Sequence, residues 1–153
     1  MSGHQLPKVF LDTSVLIAAT FSAKGGVREI LQLGEIGAIQ LFVSQAVLAE
    51  LEENVLKKKP QYLAVIAAVL ESCSVELVAP PAVETVQLCQ RFLNYADDAV
   101  VLAAAVDAQT DYFVTLDRQH FLNNPLVPTT LPLPLGAPGD FLAWYRARVG
   151  DEL

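Results

Sequence analysis

The sequence holds only two cysteines, Cys73 and Cys89, in 153 residues. They stand singly among apolar residues with no Cys-x-x-Cys pair, which excludes a disulfide-stapled framework and leaves reduced, buried thiols as the reading. Basic side chains are also scarce: 10 Lys and Arg face 17 Asp and Glu, for a net charge of −7. A chain so balanced does not grip nucleic acid by bulk electrostatics, because phosphates are normally neutralised by Lys and Arg. If nucleic acid is the substrate, metal ions must supply the local positive charge. Charged residues make up 18 % of the chain and apolar ones 53 %. That composition excludes disorder and leaves apolar surface for a second copy or another protein, so a homodimer or a bound partner is expected. No apolar run approaches the ~18 residues of a membrane span. The stretch 9–21 is broken by Asp12, and the N-terminus lacks the basic region of a secretory signal. The expectation is a cytoplasmic protein with no membrane segment.

The length suits one domain, 1–153, large enough for a core without staples. Short apolar runs at 9–11, 39–43, 75–78 and 112–115 have the character of buried strands. Between them lie segments of helical periodicity, such as Val47, Leu51 and Val55, then Leu63, Ile66 and Leu70. Strand alternating with helix predicts an α/β fold: a central parallel sheet with helices on both faces, its core spanning about 8–122. From 125 to 138 the chain carries Pro125, Pro128, Pro132, Pro134 and Pro138, which predicts an extended connector. A last amphipathic helix follows over about 139–149, with Asp140 near its N-cap; it is expected to pack on the domain or on a partner, with Phe141, Trp144 and Tyr145 as candidate partner contacts.

In open α/β sheets ligands collect beyond the carboxyl ends of the strands, so acids just after strand runs come first. Asp12 ends one such run and Asp117 follows another by two residues. Either alone could be a turn or N-cap aspartate. Asp97 and Asp98 open a helix that is apolar from 99 to 106, and two adjacent carboxylates exceed what one cap needs. On the helix beginning near Ser44, Glu53 points away from the buried stripe, while Glu50 and Glu52 lie on its two edges and periodicity does not choose between them. Four dispersed acid sites suit hard cations such as Mg²⁺ or Mn²⁺, and no His or Cys cluster suggests zinc. Two such ions roughly 4 Å apart can activate water and stabilise a leaving oxygen in phosphodiester hydrolysis.

The segments VFLDTSVLI, SQAVLAELEENVL and DDAVVLAAAVDAQTDYFVTLDRQHF resemble, in order over residues 9–121, the acidic motifs of the PIN domain, the fold of VapC-type toxins and related ribonucleases. The resemblance implies a three-layer Rossmann-like PIN fold and a metal-dependent endoribonuclease, the toxin of a type II toxin-antitoxin pair with an antitoxin protein as partner. It assigns metal ligation and catalysis to Asp12, Glu50, Asp98 and Asp117, with Asp97 auxiliary. It gives Ser14 and Thr115 a part in holding a phosphate or a ligand. Arg118, beside Asp117, is a candidate phosphate contact. His120 has a conceivable general-base role, although a packed or hydrogen-bonded histidine is the plainer reading. His4 falls in the terminus, and Lys57, Lys58 and Lys59 read as a solvated helix end. Two rivals stand beside the nuclease. One is a non-catalytic PIN-fold interaction module. The other, an acid-site phosphatase, is weakened because Asp12 has no second aspartate two residues on.

Overall fold

The computed structural model describes residues 5–22, 24–127 and 131–151; His4 and Pro128 lie outside them. Five strands form one parallel sheet: β1 (Lys8–Leu11), β2 (Gln40–Val43), β3 (Glu76–Leu77), β4 (Tyr112–Val114) and β5 (Leu135–Gly136). Their order is β3-β2-β1-β4-β5. The runs of β1 and β4 are strands because both faces are covered: Val9, Phe10, Leu11, Phe113 and Val114 have no exposed surface. The run 75–78 is not the buried strand expected, since β3 lies at the sheet edge with Glu76 and Leu77 exposed. Phe10 and Phe113, neighbours in register, stack with ring centroids 5.5 Å apart.

Helices α1 (Thr13–Ser22) and α2 (Gly25–Glu35) connect β1 to β2, and α3 (Gln45–Lys58) and α4 (Leu63–Ser72) connect β2 to β3. Helices α5 (Val83–Gln90) and α6 (Ala96–Asp107) lead to β4, and α7 (Pro138–Asp151) follows β5. Ser44 starts α3 by accepting the Val47 N–H on its hydroxyl at 3.2 Å. Helix α6 is buried at Ala99 and from Val101 to Ala105, as its apolar sequence predicts. The chain winds outward from β1 through β2 to β3, then returns to place β4 on the other side of β1. With right-handed crossovers, that reversal puts helices on both faces of the sheet. Cys73 and Cys89 are both buried and free, and burial pushes the Cys89 thiol up to about 11.

The proline-rich segment does more than connect. Within it, Pro134 and Gly136 offer their carbonyls to the Phe113 and Thr115 N–H groups, each at 3.0 Å, and β5 becomes the edge strand. An edge tolerates prolines, whose missing N–H costs no ladder bond there. Gly136 is required for closeness: a Cβ at this position would collide with Tyr112 Oη and come within 2.8 Å of Asp140 Cβ. Asp140 sits in the first turn of α7 and accepts the Ala137 N–H at 3.0 Å.

Of the two packings expected for α7 the structure has the one on the domain, and the expectation of Phe141, Trp144 and Tyr145 as partner contacts is corrected. Phe141 is wholly buried, packed edge-on against Tyr112 at 5.3 Å, and Trp144 and Tyr145 are half-buried against the same core. The apolar stripe of α7 closes its own domain. Among the described residues no helix is long and apolar enough to cross a membrane.

Candidate metal centre

Strand order reverses between β1 and β4, which makes their carboxyl ends the switch point where α/β sheets gather ligands. Asp12 follows the last residue of β1, and Asp117 follows β4 by three positions, at the head of a single π turn, Arg118–Leu122. The first turn of α6 contributes Asp97 and Asp98, and α3 contributes Glu50. These five acids line one cleft of about 270 Å³ together with Thr13, Ser14, Ile17, Asn54, Tyr95 and His120. Among the described residues no Lys or Arg lines it.

Asp12 is nearly enclosed and is oriented by hydroxyls. Its Oδ2 accepts from Thr115 Oγ1 at 2.7 Å and from Ser14 Oγ at 3.0 Å. Each hydroxyl in turn accepts a backbone N–H, Thr115 from Asp117 at 3.0 Å and Ser14 from Leu116 at 2.9 Å. Both hydroxyl protons are thus committed to a carboxylate. Burial pushes the Asp12 carboxyl above its ordinary range; the Thr115 and Ser14 bonds oppose that, and the charge of Asp117 adds to it.

Glu50 accepts the Thr13 hydroxyl at 3.1 Å. This contact decides what helical periodicity leaves open: Glu50 lines the cleft and Glu52 does not. Burial raises the Glu50 carboxyl, the Thr13 bond lowers it, and Asp12, Asp97 and Asp117 raise it further. Asn54, one turn on from Glu50, donates to the Glu50 carbonyl at 2.8 Å and joins the lining. Glu53 is exposed and pairs with Lys57 at 3.0 Å.

The tightest group is Asp98, Asp117 and His120, whose ligand atoms lie within 4.8 Å of one another. His120 Nδ1 is 2.9 Å from Asp98 Oδ2 and 3.1 Å from Asp117 Oδ2. The approach to Asp98 lacks hydrogen-bond alignment, so the buried Asp98 Oδ2 has no hydrogen-bond partner. Burial pushes the Asp98 carboxyl up to about 6; His120 acts against this, while Asp117, Asp12 and Glu50 add to it. Asp117 also caps its own turn, accepting the His120 N–H at 3.0 Å.

A buried carboxylate oxygen without a hydrogen bond is costly, and like charges crowded around it compound the cost. A divalent cation would answer both, and the carboxylate oxygens gathered here are donors that a hard cation prefers. Asp97 is exposed at the rim, and Arg118 is exposed and outside the lining. Sequence reasoning passed over Tyr95 and Asn54. The available signals were positional: Asn54 lies four residues after Glu50 on one helix face, and Tyr95 immediately precedes the helix that Asp97 and Asp98 open.

A family model described as the PIN domain matches residues 8–119. The chain belongs to the PIN-domain family. The matched span holds every acid of this PIN domain's cleft and ends one residue short of His120. No curated protein sequence matches the chain. Among solved structures, VapBC2 from Rickettsia felis bound to a promoter DNA fragment has a chain similar to this one, with a TM-score of 0.66 at 19 % identity, covering 85 % of this chain and 98 % of that one. DNA-bound VapBC from Salmonella typhimurium gives 0.66 at 18 % identity, covering 87 % and 99 %. VapC20 from Mycobacterium tuberculosis, a toxin that cleaves the sarcin-ricin loop, gives 0.54 at 15 % identity, covering 72 % and 91 %. At these identities the likeness is one of fold.

Proposed function

We propose that this PIN domain is a divalent-cation-dependent endoribonuclease that hydrolyses RNA phosphodiester bonds, the toxin of a type II toxin-antitoxin pair. The observation that carries the reading is the convergence of Asp12, Glu50, Asp98 and Asp117 from four separate elements on one cleft, with a buried oxygen of Asp98 that accepts no hydrogen bond. Asp12, Glu50, Asp98 and Asp117 would hold Mg²⁺ or Mn²⁺, with Asp97 an auxiliary acid at the rim. When bound, the ion supplies positive charge to phosphate oxygens and acidifies water. The chain's own part is positional. Ser14 and Thr115 fix the carboxylate of Asp12, Thr13 fixes that of Glu50, and His120 stands where it can take or return a proton beside Asp98 and Asp117. Arg118, exposed next to Asp117, is free to meet a flanking phosphate.

The VapBC complexes among the structural neighbours support an antitoxin as protein partner. A homodimer in the cytoplasm completes the reading, and light scattering that shows a concentration-independent monomer would remove the dimer. A second reading, a PIN-fold interaction module without turnover, draws on the net charge of −7 and on exposed apolar side chains such as Leu56, Val65 and Val83. One assay separates the two. The purified protein should cut single-stranded RNA with Mg²⁺ or Mn²⁺ and stop with chelator; chelator-resistant cleavage, or none with either ion, would sink the nuclease.

A further inference from the structure

The cleft asks a polyanion to enter a wall of carboxylates. Metal charge answers this at the phosphate being cut, but among the described residues the lining has no Lys or Arg for the nucleotides on either side. Arg118 stands outside the lining, so within the cleft itself affinity for those nucleotides comes from contacts that do not depend on charge. The one aromatic carbocycle in the lining is Tyr95. It holds the N-cap position of α6, so its backbone is fixed immediately before Asp97 and Asp98. The residue is 50 % exposed, unusual for a ring in a domain whose other aromatics mostly fill the core. It stacks on the His120 imidazole with centroids 4.2 Å apart and planes inclined by 32°. Among the described residues its hydroxyl makes no hydrogen bond, so the side chain serves no polar purpose within the fold. Helix capping does not explain it either, since the side chain makes no cap hydrogen bond.

Resting on the ribonuclease reading above, we propose that Tyr95 is the stacking platform for an unpaired base of single-stranded RNA, seating the nucleotide next to the one whose phosphate is cut. Every base has a π face, so such a platform binds with little regard to sequence, and it works without positive charge. His120 backs the ring and holds it at the edge of the carboxylates. Base, tyrosine and imidazole then form one short stack running down to Asp98 and Asp117. Strand ends, loops and bulges can deliver an unstacked base to this point, whereas a continuous duplex cannot.

The test compares Tyr95→Phe, which keeps the ring, with Tyr95→Leu, which keeps apolar bulk without a π face. Both are assayed with Mn²⁺ on a short single-stranded RNA carrying 2-aminopurine, whose fluorescence is quenched by stacking. The expected result for Tyr95→Leu is a KM raised roughly 5- to 100-fold, as loss of a base–aromatic stack implies, with kcat nearly unchanged and the quenching lost on rapid mixing. Tyr95→Phe should behave as the parent. Unchanged KM and quenching in Tyr95→Leu would overturn the platform, as would a lower kcat at unchanged KM, which would make Tyr95 a positioning residue for His120. A parent protein that cuts this RNA without quenching it removes the platform alone. One that neither cuts nor quenches removes the ribonuclease reading, and the platform with it.

Discussion

The two ends of the same pair of strands treat carboxylates in opposite ways. At the amino end, Asp111 precedes β4 and accepts the Lys8 N–H at the start of β1 at 2.8 Å, while its own N–H donates to the Lys8 carbonyl at 2.7 Å. The acid there completes backbone pairing and stands by itself. At the carboxyl end, Asp12 and Asp117 are joined by Glu50, Asp97 and Asp98, and burial with mutual repulsion holds Asp12, Glu50 and Asp98 above the ordinary carboxylate range. One end uses an acid to finish the sheet. The other carries more negative charge than the sheet needs, which is how strain is tolerated where a ligand relieves it.

The largest expected effect comes from breaking the crowded end. If Asp12 and Asp98 hold the ion as proposed, Asp12→Asn and Asp98→Asn should each lower the initial rate of RNA cleavage by about 100-fold or more, because each removes a ligand charge. Asp97→Asn, at the exposed rim, should cost less than about tenfold. Equal losses at Asp97 and Asp98 would contradict the division between ligand and auxiliary acid.

Breaking the quiet end should do the reverse. Asp111→Ala leaves the Lys8 N–H without its acceptor and should destabilise the fold by about 1–3 kcal/mol, at about 2–4 °C of Tm per kcal/mol for a domain of this size. Cleavage at temperatures well below the transition should be unaffected. A denaturant melt and a rate measurement on the same preparation check both halves.

A smaller effect sharpens the comparison through pH. The Asp98 carboxyl is raised from 3.8 to about 6, so the folded state holds its proton more tightly than the unfolded chain does. Its ionisation therefore opposes folding: metal-free stability should fall as pH rises from about 4 through about 6, and return on acidification. Asp12 and Glu50, also raised, act in the same direction. Melting in chelator at pH 5 and pH 7 reads the slope, and Asp98→Asn should flatten it. A parent that melts higher at pH 7 than at pH 5 would contradict the sign.

How much of this could be read from sequence follows from the range of the interactions. The acids at two strand ends and the strands β1, β2 and β4 were legible because burial writes itself as short apolar runs, whereas β3, an edge strand with Glu76 and Leu77 exposed, reads only through the run 75–78 around it. Glu50 against Glu52 was not, since both lie on the edges of one helical stripe and the choice is made by the Thr13 hydroxyl, 37 residues away in sequence. The fifth strand was hidden because its two residues sit among prolines, where an edge position rather than local propensity decides pairing. Phe141 reads as a surface anchor until the Tyr112 ring against it is known. The stack of Tyr95 on His120 had no local signal, being formed between the mouth of α6 and the turn after β4.

Calorimetry of parent and Asp98→Asn, each with chelator and with Mn²⁺, tests most directly the proposal that Asp98 is a ligand under strain and not a helix cap. Asp98→Asn keeps the shape and deletes one charge. If the relief is about 1 kcal/mol, the metal-free variant should melt roughly 2–4 °C above its parent. Mn²⁺ should then raise the parent's Tm more than the variant's, because the variant binds the ion less tightly. A variant that melts below its parent in chelator, or that shows the same shift with Mn²⁺, would mean that Asp98 serves the helix and not the metal.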